Sequence, residues 1–137
     1  MGLYLCIFDG DEEIDGVEVG SYADYGWFID TVIRELEGGR RGSQCPTLTL
    51  HSDCDGEWSV AECVLLEREL RATEEALRGL PPIPFNSEWQ TSVARGIGYQ
   101  CRTLYDCFLD VDGEPMIERL MNLCRRAQQV NQPILFQ

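Results

Sequence analysis

Lysine is absent from this 137-residue chain, histidine occurs once, and all formal positive charge is carried by 11 arginines. Against them stand 24 Asp and Glu residues, for a net charge of −13. A surface this acidic repels phosphate backbones and anionic lipid, which disfavours nucleic acid and membrane surfaces as partners and favours cationic protein surfaces or metal ions. Long hydrophobic runs are also missing: the longest, Leu3 to Phe8, falls far short of the roughly 20 residues of a membrane span. No basic segment precedes that run and acids follow at Asp9, so it reads as a strand and not as a secretory signal. There is no C-x-x-C pair among Cys6, Cys45, Cys54, Cys63, Cys101, Cys107 and Cys124. An odd set without that spacing signals neither a disulfide framework nor a zinc ribbon, and we read these residues as reduced thiols of a cytoplasmic protein. With one imidazole and no G-x-S-x-G elbow, a Ser/His/Asp triad cannot be assembled.

What is present is ordinary globular composition, 44% hydrophobic with 26% charged, in a length that suits one domain over residues 1–137. Residues 2–8 read as a strand buried on both faces. An acidic loop from Asp9 to Gly16 follows, and Val17-Glu18-Val19 pairs back as a hairpin partner after that long connection. From Asp24 as N-cap, Tyr25, Phe28, Ile29, Val32, Ile33 and Leu36 recur at helical spacing up to Gly38-Gly39. The alternation in Pro46-Thr47-Leu48-Thr49-Leu50 predicts a second strand, and a right-handed crossover if it lies parallel to the first.

Ser59 and Glu62 have the spacing of a capping box, opening a helix through Cys63, Leu66, Leu70, Thr73, Leu77 and Leu80 that Pro81, Pro82 and Pro84 stop. Trp89, Val93, Ile97, Leu104 and Phe108 then follow helical spacing across Gly96 and Gly98, with core packing expected for Trp27 and Trp89. A last helix carries Ile117, Leu120, Met121, Cys124 and Ala127 inward, with Arg125-Arg126 near its negative end. Pro133 to Phe136 reads as a closing strand. The expected fold is α+β, a small mixed sheet of three to four strands packed with about four helices.

The residues richest in chemistry run from His51 to Ser59. They offer an imidazole, three carboxylates (Asp53, Asp55, Glu57), the Cys54 thiol and the Trp58 indole between a predicted strand end and a helix start, where ligands commonly bind. A Cys54/His51 nucleophile is opposed by the neighbouring carboxylates, which raise a thiol pKa. A metal-dependent hydrolase would use His51, Asp53 and Asp55, with Asp9 and Asp11 as further candidate ligands. Calcium loops starting at Asp53 or Asp110 fail, because their sixth and twelfth positions hold Trp58 and Val64, or Pro115 and Met121. The plain alternative is a turn whose acids favour the positive end of the next helix, with Trp58 as core anchor or partner contact. Arg40-Arg41 is too small an island for nucleic acid, and Gly96-x-Gly98 lacks the strand and Lys of a phosphate loop.

The acids are unevenly spread: residues 1–57 hold 13 with three Arg, residues 58–137 hold 11 with eight Arg. If the hairpin loop and the loop from Asp53 to Glu57 share one end of the sheet, they form an anionic patch that speeds capture of a basic protein. Three stretches carry a resemblance: Met1-Gly2-Leu3-Tyr4-Leu5 through Phe8-Asp9-Gly10-Asp11-Glu12, Gly20-Ser21-Tyr22-Ala23-Asp24, and the box from His51 to Trp58. Through them the chain resembles a family of small bacterial immunity proteins of polymorphic toxin systems. That resemblance implies binding and neutralisation of a cognate secreted toxin, without assigning contact residues. The charge suggests a toxin with a basic active-site face, met by Asp9, Asp11, Glu12, Glu13, Asp15, Asp53, Asp55, Glu57 and Trp58, with no cofactor or catalytic residue. Two readings stand beside it: the metal-dependent hydrolase, and an assembly module whose acids serve only solubility.

Overall fold

The computed structural model describes residues 2–85 and 88–137; Met1, with which the first stretch compared above begins, and the pair Asn86 and Ser87 lie outside them. Strand β1 (Gly2–Asp9) turns directly into β2 (Glu12–Ser21), and helix α1 (Tyr22–Glu35) follows. Next come a four-residue helix α2 (Pro46–Thr49), a two-residue strand β3 (Glu57–Trp58) and the long helix α3 (Val60–Arg78). Helix α4 (Glu88–Gly96), a 3-10 turn (Leu104–Cys107), helix α5 (Met116–Val130) and strand β4 (Ile134–Phe136) complete the α+β fold.

The four strands lie in the order β2-β1-β4-β3, and each pairing is antiparallel. The closing strand is therefore an inner strand, wedged between the first strand and a short edge strand. Leu3, Leu5 and Ile7 of β1, Val17 and Val19 of β2, Trp58 of β3, and Ile134 and Phe136 of β4 share one face and join the helices in a common core. From α3 come Cys63, Leu66, Leu70 and Leu77; from α5 come Ile117, Leu120, Cys124 and Ala127, the stripe expected from the sequence. Glu67 ties these two helices together, accepting from Arg125 at 3.0 Å and Gln128 at 2.9 Å. Burial alone would raise its pKa, but Gln128 and Arg125 outweigh that and hold it low.

Several boundaries differ from the expected ones for physical reasons. The connection from β1 to β2 is tight, with Asp9 paired to Glu12 and Gly10 at φ +64°, so Glu12, Glu13 and Asp15 lie in a strand and not in a long loop. Helix α1 is capped by Ser21, whose hydroxyl accepts from the Asp24 amide at 3.0 Å, and Asp24 falls inside the first turn. The capping box of Ser59 and Glu62 forms as read, with bonds of 3.1 and 3.0 Å.

The strand expected over Pro46 to Leu50 is instead α2, so no parallel crossover forms there. Pro46 suits the first turn of a helix, and Glu69 of α3 accepts the amides of Leu48 (3.0 Å) and Thr47 (3.3 Å) at that turn's start. The long third stripe breaks at Gly96. Within helix α4, Gln90 and Ala94 face inward while Trp89, 48% exposed, faces out, and Ile97, just past the helix end, is 57% exposed. Trp27 does pack against the core, its ring 4.6 Å from that of Phe108.

Glu37, which no sequence signal singled out, organises the segment between α1 and α2. Only 3% exposed, its carboxylate accepts backbone N–H bonds from Gly42 (3.1 Å), Gln44 (3.0 Å) and Cys45 (2.8 Å), and a hydroxyl bond from Thr49 (3.3 Å). Burial pushes its pKa up, but these donors push harder the other way and hold it below the usual carboxylate value.

Candidate partner-binding surface

His51 is a structural hub. Its ring stacks on Phe136 at 4.3 Å and tilts against Trp58 at 5.1 Å, while Nδ1 lies 2.7 Å from the Ser52 carbonyl and Nε2 2.9 Å from the Glu57 carbonyl. Both ring nitrogens are thus directed at backbone carbonyls of the loop. Neither nitrogen is left to ligate a metal or to draw a proton from Cys54, whose side chain meets Ser52 Oγ at 3.4 Å. Asp9 and Asp11, offered as further ligands, lie far from this loop. Among the described residues no three His, Cys, Asp or Glu side chains converge as a metal site. The ligand set drawn for the hydrolase is therefore not assembled among the described residues.

The loop's acids Asp53, Asp55 and Glu57 are exposed. Trp58 is fully buried, so it anchors the loop from beneath and is corrected from partner contact to core; its Nε1 donates to the Thr47 carbonyl at 2.9 Å. Asp53 lies beside the N-terminal part of α1, where, with burial as the larger cause, it raises the Tyr25 phenol. The second acidic stretch of the sequence, Asp110 to Gly113, is a closed turn. Asp110 Oδ1 accepts the amides of Asp112 (2.9 Å) and Glu114 (3.0 Å), and Arg119 Nε faces Oδ2 at 3.3 Å as an ion pair without hydrogen-bond geometry. Burial nonetheless raises the Asp110 pKa.

The two acidic regions do not share an end of the sheet. Two antiparallel steps, Cys6 to Leu135 and Leu135 to Glu57, give β3 the same direction as β1. Residues before Glu57 therefore lie beside the first half of β1, on the edge opposite β2, while the hairpin tip caps the far end of β1 at Asp9. The single patch expected from sequence is instead two anionic corners on a diagonal.

Between them lies the second face of the sheet, which sequence reasoning missed. Alternation places Tyr4, Cys6 and Phe8 of β1, Leu135 of β4, and Glu13, Gly16, Glu18 and Glu57 opposite the core side. Tyr4, Phe8 and Leu135 are partly exposed, and Glu13, Glu18 and Glu57 are exposed around them; Cys6 is buried. The Tyr4 ring leans over Gly16, where a Cβ would overlap its hydroxyl, and that hydroxyl donates to Glu13 Oε1 at 2.7 Å. The bond to Glu13, with burial second, pushes the phenol up to about 12, so Tyr4 is a neutral donor in a fixed pose. Next to it opens a groove of about 550 Å³, lined by Gly2, Leu3, Tyr4, Glu18, Gly20, Ser21, Asp24, Val111 and the exposed indole of Trp89.

The model of one protein family, Immunity protein 70, matches residues 3–136. The chain belongs to the Immunity protein 70 family. No curated protein and no solved structure gives a match. Membership of the Immunity protein 70 family implies a toxin as partner. In the described residues no helix is long and apolar enough to cross a membrane.

Proposed function

We propose that this chain is a cytoplasmic, non-enzymatic immunity protein of a polymorphic toxin system, which neutralises its cognate secreted toxin by covering a basic active-site face. The family match over residues 3–136 carries this reading. The charge of −13 supports the cationic character of the partner and argues against nucleic acid or membrane as targets. The contacts we assign are the hairpin acids Asp9, Asp11, Glu12, Glu13 and Asp15 and the loop acids Asp53, Asp55 and Glu57, all exposed. Because they occupy opposite corners, a partner that engages both spans the open sheet face between them.

The test is co-expression with the toxin encoded beside it. One-to-one co-purification and rescue of a toxin-sensitive cell are expected, with an association rate that falls as salt rises. Amide replacement of either acidic set slows association and leaves the fold intact. A toxin that neither co-purifies nor loses toxicity removes the reading. Rates unchanged by both amide sets would remove the acidic contacts while sparing the inhibitor.

A further inference from the structure

The groove beside the open face is built differently from the acidic corners. Of the large apolar side chains that are exposed among the described residues (Leu50, Val64, Leu65, Trp89 and Ile97), Trp89 alone borders it. Tyr4 lines the same groove, its ring held in place by Gly16 and Glu13 and so needing little ordering when a partner arrives. Among the described residues, the charged ones in the lining are Glu18 and Asp24, and no arginine is among them. At about 550 Å³ it falls within the range of clefts that take a ligand group.

An indole and a phenol ring attract a cation over their faces, and a carboxylate at the same mouth adds a charge-assisted hydrogen bond. An anionic or purely aliphatic group would leave Glu18 unpaired. We infer that this groove receives an arginine or lysine side chain of the toxin, with its stem and charged head against the aromatic lining of Trp89 and Tyr4 and its hydrogen bonds directed to Glu18. The inference rests on the toxin-binding reading above and adds to it an anchor point: Trp89 and Tyr4 as the aromatic walls, and Glu18 as the charge that selects a base.

The experiment compares wild type, Trp89→Ala, Trp89→Phe, Glu18→Gln and Ile97→Ala for binding to the purified toxin at low and high salt, with thermal midpoints measured in parallel. Trp89→Ala is expected to weaken binding about 30-fold, the scale of an interface hot spot, with Trp89→Phe recovering most of it. Glu18→Gln is expected to weaken binding about tenfold and to flatten the salt dependence, while Ile97→Ala, just past the end of α4, stays within about twofold. Recovery by Trp89→Phe distinguishes loss of the aromatic wall from loss of the helix. Full affinity in both Trp89→Ala and Glu18→Gln overturns this inference and leaves the inhibitor reading standing. A dimer of wild type that Trp89→Ala dissolves also overturns it, because the occupant is then a second copy. A wild type that binds no toxin overturns both.

Discussion

Replacing Glu37 tests the internal architecture most directly. Its carboxylate is nearly inaccessible and accepts three backbone amides and one hydroxyl from the chain between residues 42 and 49. Glu37→Ala leaves the buried Cys45 amide without its acceptor, a cost of about 1–3 kcal/mol, and the more accessible amides of Gly42 and Gln44 add about 1 kcal/mol together. The expected loss is about 3 kcal/mol. Glu37→Gln keeps one carbonyl oxygen for the Gln44 and Cys45 amides but turns an NH2 toward the Gly42 amide, so its loss is about half as large.

The pH dependence has a definite sign. The folded pKa lies below the reference of 4.5, so the stabilisation is complete above the unfolded pKa and disappears as pH falls through the folded one. The gap between wild type and Glu37→Gln therefore narrows below about pH 4.5. Urea unfolding followed by circular dichroism at neutral and acid pH measures both quantities. Equal stability of wild type and Glu37→Ala at pH 7, or a gap that widens in acid, would refute the argument.

Other expectations follow from single contacts. Gly16→Ala puts a methyl group where the Tyr4 hydroxyl lies, and should cost about 1–3 kcal/mol in urea unfolding unless Tyr4→Phe is added, which relieves part of the clash; no relief would mean that backbone conformation, not Tyr4, excludes the side chain. His51→Ala should expose the loop from Ser52 to Gly56 to limited proteolysis, while a chelator should leave the wild-type melting temperature unchanged, and a chelator-induced drop would revive a metal role. In the native protein Cys54, the one exposed cysteine, should react first with a disulfide reagent. Burial holds up the thiols of Cys6, Cys45 (to about 11) and Cys101 (to about 12). A second fast thiol in Cys54→Ser would contradict that ordering.

The helices were legible where a long stripe and a cap agree. In α3 the box of Ser59 and Glu62 precedes five buried positions at helical spacing, and in α5 the expected stripe from Ile117 to Ala127 is buried. Four residues are too few for a helical period to show, so Pro46 to Thr49 read as a strand; what settles its conformation is Glu69, 20 residues later. The same holds for Glu37, a lone acid at a helix end whose donors come from the following loop. At the candidate site, the local chemistry of His51 to Glu57 stood out in the sequence, but its role did not. Whether His51 is a ligand or a clamp depends on Phe136, 85 positions away. Trp89 shares its spacing with core positions, and only the rotation of α4 on Gln90 and Ala94 turns it outward. The diagonal placement of the acidic corners needed the strand order, which pairs residue 6 with residue 135.

That strand order also imposes a sequence in time. The β1–β2 hairpin and the helices can form from nearby residues, but β3 has no neighbour until β4 lies beside β1, and β4 is drawn from residues 134–136. On a ribosome the His51 loop therefore stays open until those residues have emerged, because the Phe136 ring that closes over His51 arrives with them. Closure of β4 therefore follows the hairpin and the helices that precede it in the chain. A destabilised β4 leaves a molecule that keeps its helices and its hairpin acids yet has lost one of its two anionic corners, so damage there removes that corner before it lowers the amount of folded helix.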